Sequence, residues 1–283
     1  MSNDITVERI AAFSIGDTGG NPAGVALLAQ MPAVSDMQRV AAEIGFSETV
    51  FAVPENDGWR ARYFSPESEV PFCGHATIAL GAALARHSGD GTYPLFLNEA
   101  NITVEGHREG DIFKAALQSP PTYSKVADPD LVDRSLALLG YDRADLDSAI
   151  PPAFANGGAN HLILMLNSRE RLAEMNYDLD QGRKLMNDAG LVTILLGYAE
   201  SPQSFHTRNP FASGGVLEDP ATGAATAALA GYLRDLNWPH AGRIEIVQGQ
   251  DMGCASQLVA SFTDQIGSSI KVSGAARLMA ASE

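Results

Sequence analysis

Within Gly74–Arg86 the run ATIALGAALA reads as a helix with almost no polar face. A helix that is apolar all round has to be surrounded by other structure, and a sheet curled around it is the natural container. A second passage resembles the first. VPFCGHATIALGAAL (Val70–Leu84) lies on DPATGAATAALAGYL (Asp219–Leu233) without a gap, and seven of fifteen positions are identical. Alanine bias inflates such matches, but the shared Pro-x-x-Gly-x-Ala-Thr start is harder to dismiss, because helix starts are where sequences are idiosyncratic. We read a duplication. At 283 residues and 45% hydrophobic composition the chain can bury two cores. The predicted fold class is α+β: two pseudo-repeated domains, each a curled mixed sheet around a central buried helix.

The boundary is expected near Ser119-Pro120-Pro121. This gives an N-terminal domain over 1–118, joined by a closing strand at 270–283, and a C-terminal domain over 119–269. In the first half, Ile5–Phe13, Ala23–Leu28, Ser47–Val53 and Trp59–Phe64 read as strands. Ser35-Asp36-Met37-Gln38 has capping-box spacing ahead of an apolar face at Val40, Ala41 and Ile44, with Gly45 as the C-terminal cap. In the second half, Asn160–Leu166, Leu191–Tyr198 and Ser204–Arg208 read as strands and Leu172–Asn187 as one helix; Cys254 falls in a strand region.

Nineteen basic against thirty-four acidic residues give a formal charge of −15. Such a surface repels a phosphate backbone and an anionic bilayer, so neither nucleic acid nor membrane is an expected partner. Two cysteines, neither in a CxxC pair, fit a reduced compartment, and MSNDITVERIAAF lacks a basic region followed by an apolar run; a cytoplasmic location is expected. No G-x-G-x-x-G follows a strand, and neither a P-loop nor a G-x-S-x-G elbow is present. The six histidines have no H-E-x-x-H or H-x-H spacing, so no metal is expected.

What remains is the chemistry of two helix starts. Gly74, His75, Ala76 and Thr77 on one, and Gly223, Ala224 and Ala225 on the other, present backbone N–H groups at the positive end of a helix dipole. If the halves are related by a pseudo-twofold axis, these starts can face one cleft. A small carboxylate would fit there without a large basic patch.

GNPAGV (Gly20–Val25), SETVF (Ser47–Phe51), PFCGHAT (Pro71–Thr77), EDPATG (Glu218–Gly223) and the closing VSGAARL (Val272–Leu278) together resemble the phenazine-biosynthesis PhzF-like family, which shares the diaminopimelate epimerase fold. Each motif is weak alone; in this order they cover nearly the whole chain. The resemblance implies that Glu48 is the proton-shuttling glutamate, with His75 and Asp219 as its catalytic partners. It also implies substrate contacts from Gly74, Ala76, Gly223, Ala224 and Asn21, no cofactor, and a homodimer. A partly desolvated carboxylate at a strand start has the chemistry to move protons at neutral pH. Read alone, Glu48 is a solvated glutamate beside a helix end, His75 bonds to backbone, and Asp219 caps a helix whose first residue is Pro220.

Epimerase relatives carry a cysteine at each helix start. Here Cys73 stands at one, but Asp219-Pro220-Ala221-Thr222 brings no sulfur to the other, so two-thiol epimerisation is not expected. Two positions depart from the family pattern. Ala224 stands where a serine follows EDPATG, and Cys254 stands where an arginine is usual in G-R-P-S. The expected function is a cofactor-independent isomerase that moves a proton between carbons of a small carboxylate-bearing metabolite. The departures leave open a non-catalytic metabolite-binding protein, and an epimerase with a non-thiol second base is a further alternative.

Overall fold

The computed structural model describes residues 5–280, which form two compact units. One runs up to Leu117 and resumes at Ser273; the other is Gln118–Val272. The last residues of the expected closing segment, 281–283, and the first four of the N-terminal reading lie outside the described residues. Among the described residues no helix is long and apolar enough to cross a membrane.

The first unit contains β1 (Glu8–Ala12), β2 (Asn21–Leu27), α1 (Val34–Ile44), β3 (Glu48–Glu55), β4 (Gly58–Phe64), β5 (Glu69–Val70), α2 (Gly74–Ser88), β6 (Gly91–Phe96), β7 (Asn101–Glu109) and β8 (Ile112–Gln118). The second contains β9 (Tyr123–Val126), α3 (Pro129–Leu139), β10 (Ala153–Asn156), β11 (Asn160–Leu166), α4 (Arg169–Ala173), α5 (Leu179–Asp188), β12 (Thr193–Ser201), β13 (Ser204–Phe211), β14 (Val216–Asp219), α6 (Gly223–Asp235), β15 (Arg243–Gln248) and β16 (Ser256–Ser261). β17 (Lys271–Leu278) returns the chain to the first unit, where it pairs with β1 and β8.

The pairing pattern is the same in both units. β2 is antiparallel to β1 and parallel to β3; β4 is antiparallel to β3 and parallel to β6; β5 folds back on β4, and β7 on β6. In the second unit β11 is antiparallel to β10 and parallel to β12; β13 is antiparallel to β12 and parallel to β15; β14 folds back on β13, and β16 on β15. Even the strand added outside the first one matches, β17 on β1 and β9 on β10, both antiparallel. The self-matching passages become α2 and α6, and the paired Gly74 and Gly223 are each the first helical residue.

Both helices are buried because alanine and glycine let strands approach closely. α2 packs on β1, β2, β3, β6 and β7, with every residue from His75 to Ala85 buried. Its closest approach is to β7, where a Cβ on Gly106 would sit 2.2 Å from the Gly81 carbonyl oxygen. α6 packs on β9, β10, β11 and β16. The sheets are covered on their other faces too. Met37, Val40 and Ala41 of α1 pack on Ala26, Phe51 and Phe64, while Val132, Leu136, Leu172 and Met186 pack on alternate residues of β11 and β12. A strand covered on both faces reads as continuous apolar sequence, as LILML in β11 does.

Several local expectations are corrected. The capping box at Ser35 does not form: Ala33 is the N-cap, so Ser35 is already helical and no side chain caps α1. Gly45 does end that helix in the left-handed conformation, at φ 74°. The single helix expected over Leu172–Asn187 is two. Asp178 caps α5 by accepting from the Gln181 N–H, and Arg208 donates to the Ala173 carbonyl at 3.0 Å, satisfying the end of α4. Cys254 lies in a loop ahead of β16.

Candidate active site

In the first unit the site is built on the first turn of α2. Cys73 is the N-cap, with extended backbone and no side-chain capping bond, so the N–H groups of Gly74, His75 and Ala76 have no acceptor within the helix. The cap is held from behind. The Cys73 carbonyl accepts from the Thr77 N–H at 3.0 Å and from Thr77 Oγ1 at 2.7 Å, and Tyr63 hydrogen bonds that hydroxyl at 2.8 Å. Burial raises the Tyr63 phenol far above its ordinary range, so it stays protonated.

Glu48 opens β3 directly after Ser47, and β3 runs beside α2. Its Oε2 lies 3.4 Å from His75 Nε2. Ser47 Oγ lies 3.4 Å from the same nitrogen, and Cys73 Sγ is 3.2 Å from Nδ1 and 4.0 Å from Nε2. The imidazole is buried and the Glu48 side chain is 20% exposed. One carboxylate open to a ligand therefore sits against an imidazole that is not. Asn21 is buried at the start of β2, whose parallel register with β3 sets Ala23 opposite Glu48, so both strands begin at the same end. The structure thus brings Glu48, His75, Gly74 and Ala76 together, with Asn21 two residues before the register partner of Glu48.

Asp219, Gly223 and Ala224 are in the second unit. Asp219 is not a helix cap: it ends β14, and Thr222 is the N-cap of α6. The reason is a tight network in the Asp219–Thr222 link. Thr222 Oγ1 donates to Asp219 Oδ2 at 2.5 Å, and buried Gln248 accepts from the Thr222 N–H at 3.1 Å while donating to the Asp219 carbonyl at 2.7 Å. No side chain caps α6 either. By contrast Asp128, Ser168 and Asp178 cap α3, α4 and α5. The two buried helices, like α1, begin without a side-chain cap.

Sequence reasoning missed Gln248, Thr222 and Asn209. Asn209 Nδ2 reaches Gln248 Oε1 at 3.4 Å, while its buried Oδ1 has no partner among the described residues. No local sequence signal marked Gln248; the pairing of β15 with β13 is what brings it to this link. The Cys254 loop belongs to the same region: a Cβ on Gly249 would meet the Cys254 carbonyl oxygen at 2.6 Å and that of Pro220 at 2.9 Å. An open surface pocket of about 410 Å³ lined by Trp238, His240, Phe262 and Asp264 contains none of these residues.

Residues 10–282 match the phenazine biosynthesis-like protein family, PhzC-PhzF. The trans-2,3-dihydro-3-hydroxyanthranilate isomerase of Pseudomonas aeruginosa is 31% identical over 258 residues, spanning 89% of this chain and 88% of that protein. A PhzF-family phenazine biosynthesis protein from Bacillus anthracis superposes with a TM-score of 0.86 at 21% identity, covering 98% and 97% of the two chains. A probable proline racemase from Agrobacterium radiobacter shares the fold at a TM-score of 0.62 and 10% identity, covering 97% and 91%. The chain belongs to the phenazine biosynthesis-like PhzC-PhzF family, whose named relatives are isomerases.

Proposed function

We propose that this isomerase moves a proton between carbons of a small carboxylate-bearing metabolite, with Glu48 as the base. The observation that carries the reading is the Glu48 carboxylate held 3.4 Å from His75 Nε2 at the uncapped start of α2. The Glu48 carboxylate takes a proton from an acidified C–H, becomes a carboxylic acid, and returns the proton at another carbon of the conjugated system. His75 positions the Glu48 carboxylate, and the Gly74 and Ala76 N–H groups hold the substrate's carboxylate at the helix dipole. Asn21 enters as a polar contact beside Glu48.

The substrate named for the Pseudomonas aeruginosa relative is the first to test. Of the two departures from the family pattern, Ala224 lies in the first turn of α6 and Cys254 in the loop ahead of β16. The decisive measurement is substrate-dependent incorporation of solvent deuterium, paired with ligand binding. Exchange with a double-bond shift supports the isomerase; exchange with inversion only, an epimerase. Binding without any exchange favours the metabolite-binding alternative that Ala224 and Cys254 motivate. We further infer a homodimer, which sedimentation at micromolar concentration tests.

A further inference from the structure

Cys73 and Glu48 meet different nitrogens of one imidazole. Cys73 Sγ is 3.2 Å from His75 Nδ1, and Glu48 Oε2 is 3.4 Å from Nε2. A nucleophile within hydrogen-bond reach of a base that a third group orients is the arrangement of activated thiols. The Cys73 sulfur is also partly exposed and belongs to the N-cap of the fifteen-residue α2, and a helix start beside a histidine is where thiols become reactive. We propose that Cys73 is a modification site for peroxide, and that the sulfenic oxygen formed there caps α2 and closes the isomerase's carboxylate site.

The step balances with hydrogen peroxide as the oxidant. His75 Nδ1 takes the thiol proton, and Glu48 at the other nitrogen stabilises the imidazolium. The sulfur attacks one peroxide oxygen, so a sulfur–oxygen bond forms and the oxygen–oxygen bond breaks. The departing hydroxide takes the imidazolium proton and leaves as water. Sulfur loses two electrons, peroxide gains them, and Cys73 carries S–OH. The new oxygen lies one bond beyond Sγ, as Oδ1 of Asp128 and of Asp178 lies one bond beyond Cγ. Those oxygens cap α3 and α5, accepting backbone N–H groups at 3.0 and 2.9 Å. The Cys73 backbone already suits a cap: its φ of −144° and ψ of 121° resemble the −144° and 136° of Ser168, whose hydroxyl caps α4. As a thiol Cys73 makes no capping bond, so oxidation supplies the acceptor that the start of α2 lacks. An oxygen held by those N–H groups excludes a substrate carboxylate from them.

Modification and capping do not rest on the function proposed above, whereas inhibition does. The test treats the full-length protein with hydrogen peroxide and dimedone, which traps sulfenic acids, and reads each cysteine by peptide mass. Cys254, in the loop ahead of β16, is the internal control. Cys73 should be labelled ahead of Cys254, and His75→Gln should slow that labelling by about 10²-fold, as loss of a general base does. Circular dichroism checks the fold of each variant, and His75→Asn replaces His75→Gln if the latter is unfolded. Without dimedone, oxidation should raise the melting temperature by about 2–4 °C, the shift expected of a new N-cap. Cys73→Asp, which carries a capping oxygen from the start, should melt higher by the same amount and not respond to peroxide. Labelling of Cys254 ahead of Cys73, or an unchanged rate in the folded His75 variant, overturns the activated thiol. Oxidation of Cys73 without a rise in melting temperature overturns the cap. If both hold and the oxidised enzyme exchanges deuterium at its full rate, the modification site stands and the placement of the substrate carboxylate at α2 falls.

Discussion

Arg208 donates from Nε to Glu218 Oε1 at 3.1 Å and from Nη2 to Oε2 at 2.6 Å, with both side chains buried. The first unit repeats this arrangement. Arg62 donates from Nε and Nη2 to the two oxygens of Glu69 at 2.8 and 2.6 Å. The self-match that pairs Val70 with Asp219 also pairs Glu69 with Glu218, and each ion pair ties a strand to the short return strand ahead of the buried helix. Duplicated sequence has kept a duplicated clamp.

The two clamps should differ in cost. Glu218→Ala strands a buried guanidinium and is expected to destabilise the protein by about 3–5 kcal/mol. Glu69→Ala should cost clearly less, because its pair is 19% and 26% exposed and water can solvate what remains. Replacing both members, Arg208→Met with Glu218→Leu, should recover only part of the loss, because it also unpairs the Ala173 carbonyl at the end of α4. Denaturant unfolding of the three variants is the check; equal losses for Glu218→Ala and Glu69→Ala would contradict the burial argument.

The start of α2, the strand assignment of β11 and the repeat were all legible because each depends on local pattern: an apolar run, a Gly start, a gapless match. The failures depend on distant partners. Ser35 satisfies a capping rule on paper, but Ala33 enters the helix first. The break between α4 and α5 exists because Arg208, far along the chain, takes the freed carbonyls. Glu48 and His75 were named from resemblance, yet their contact with each other required β3 to lie beside α2. Gln248 carried no local signal at all, since its role follows from the pairing of β15 with β13.

His161 supplies a pH dependence whose sign can be worked out. It is fully buried on β11, bonded through Nδ1 to Thr193 Oγ1 at 2.7 Å, and its Nε2 has no partner among the described residues. Burial lowers its pKa to about 3 from 6.5. Between those values the unfolded chain binds a proton that the folded protein refuses, so stability falls as pH falls. At about 1.4 kcal/mol per pKa unit, the loss from neutral pH to pH 4.5 is about 3 kcal/mol. His161→Gln should be less stable at pH 7 yet lose about that much less on acidification. Unfolding curves at both pH values measure the difference; parallel losses in wild type and variant would remove His161 as the cause.

Gln248 should be irreplaceable by its closest isostere. Its amide accepts from the Thr222 N–H and donates to the Asp219 carbonyl, so both halves of the group are used. Gln248→Ala is expected to cost about 1–3 kcal/mol through unpaired buried backbone groups. Gln248→Glu keeps shape and acceptor but sets a carboxylate against the Asp219 carbonyl, and should be at least as damaging at neutral pH. Thermal unfolding of both variants decides. A well-tolerated Gln248→Glu would mean that the donor half is not needed.

Glu48→Gln tests the chemistry itself. Moving a proton between carbons requires one group that is unprotonated when it abstracts and protonated when it delivers. A carboxylate can be both; an amide can be neither at a useful rate. Glutamine retains the shape and can still hydrogen bond His75, while the cap on α2, its Thr77 support and the surrounding strands are untouched, so folding and ligand affinity should survive. Turnover is expected to fall by about 10²–10⁴, the usual cost of deleting a general acid–base group. Solvent-deuterium incorporation into trans-2,3-dihydro-3-hydroxyanthranilate, measured beside binding of the same compound, separates the two effects. Loss of exchange with binding intact supports Glu48 as the base, whereas exchange at the wild-type rate would transfer that role to another group.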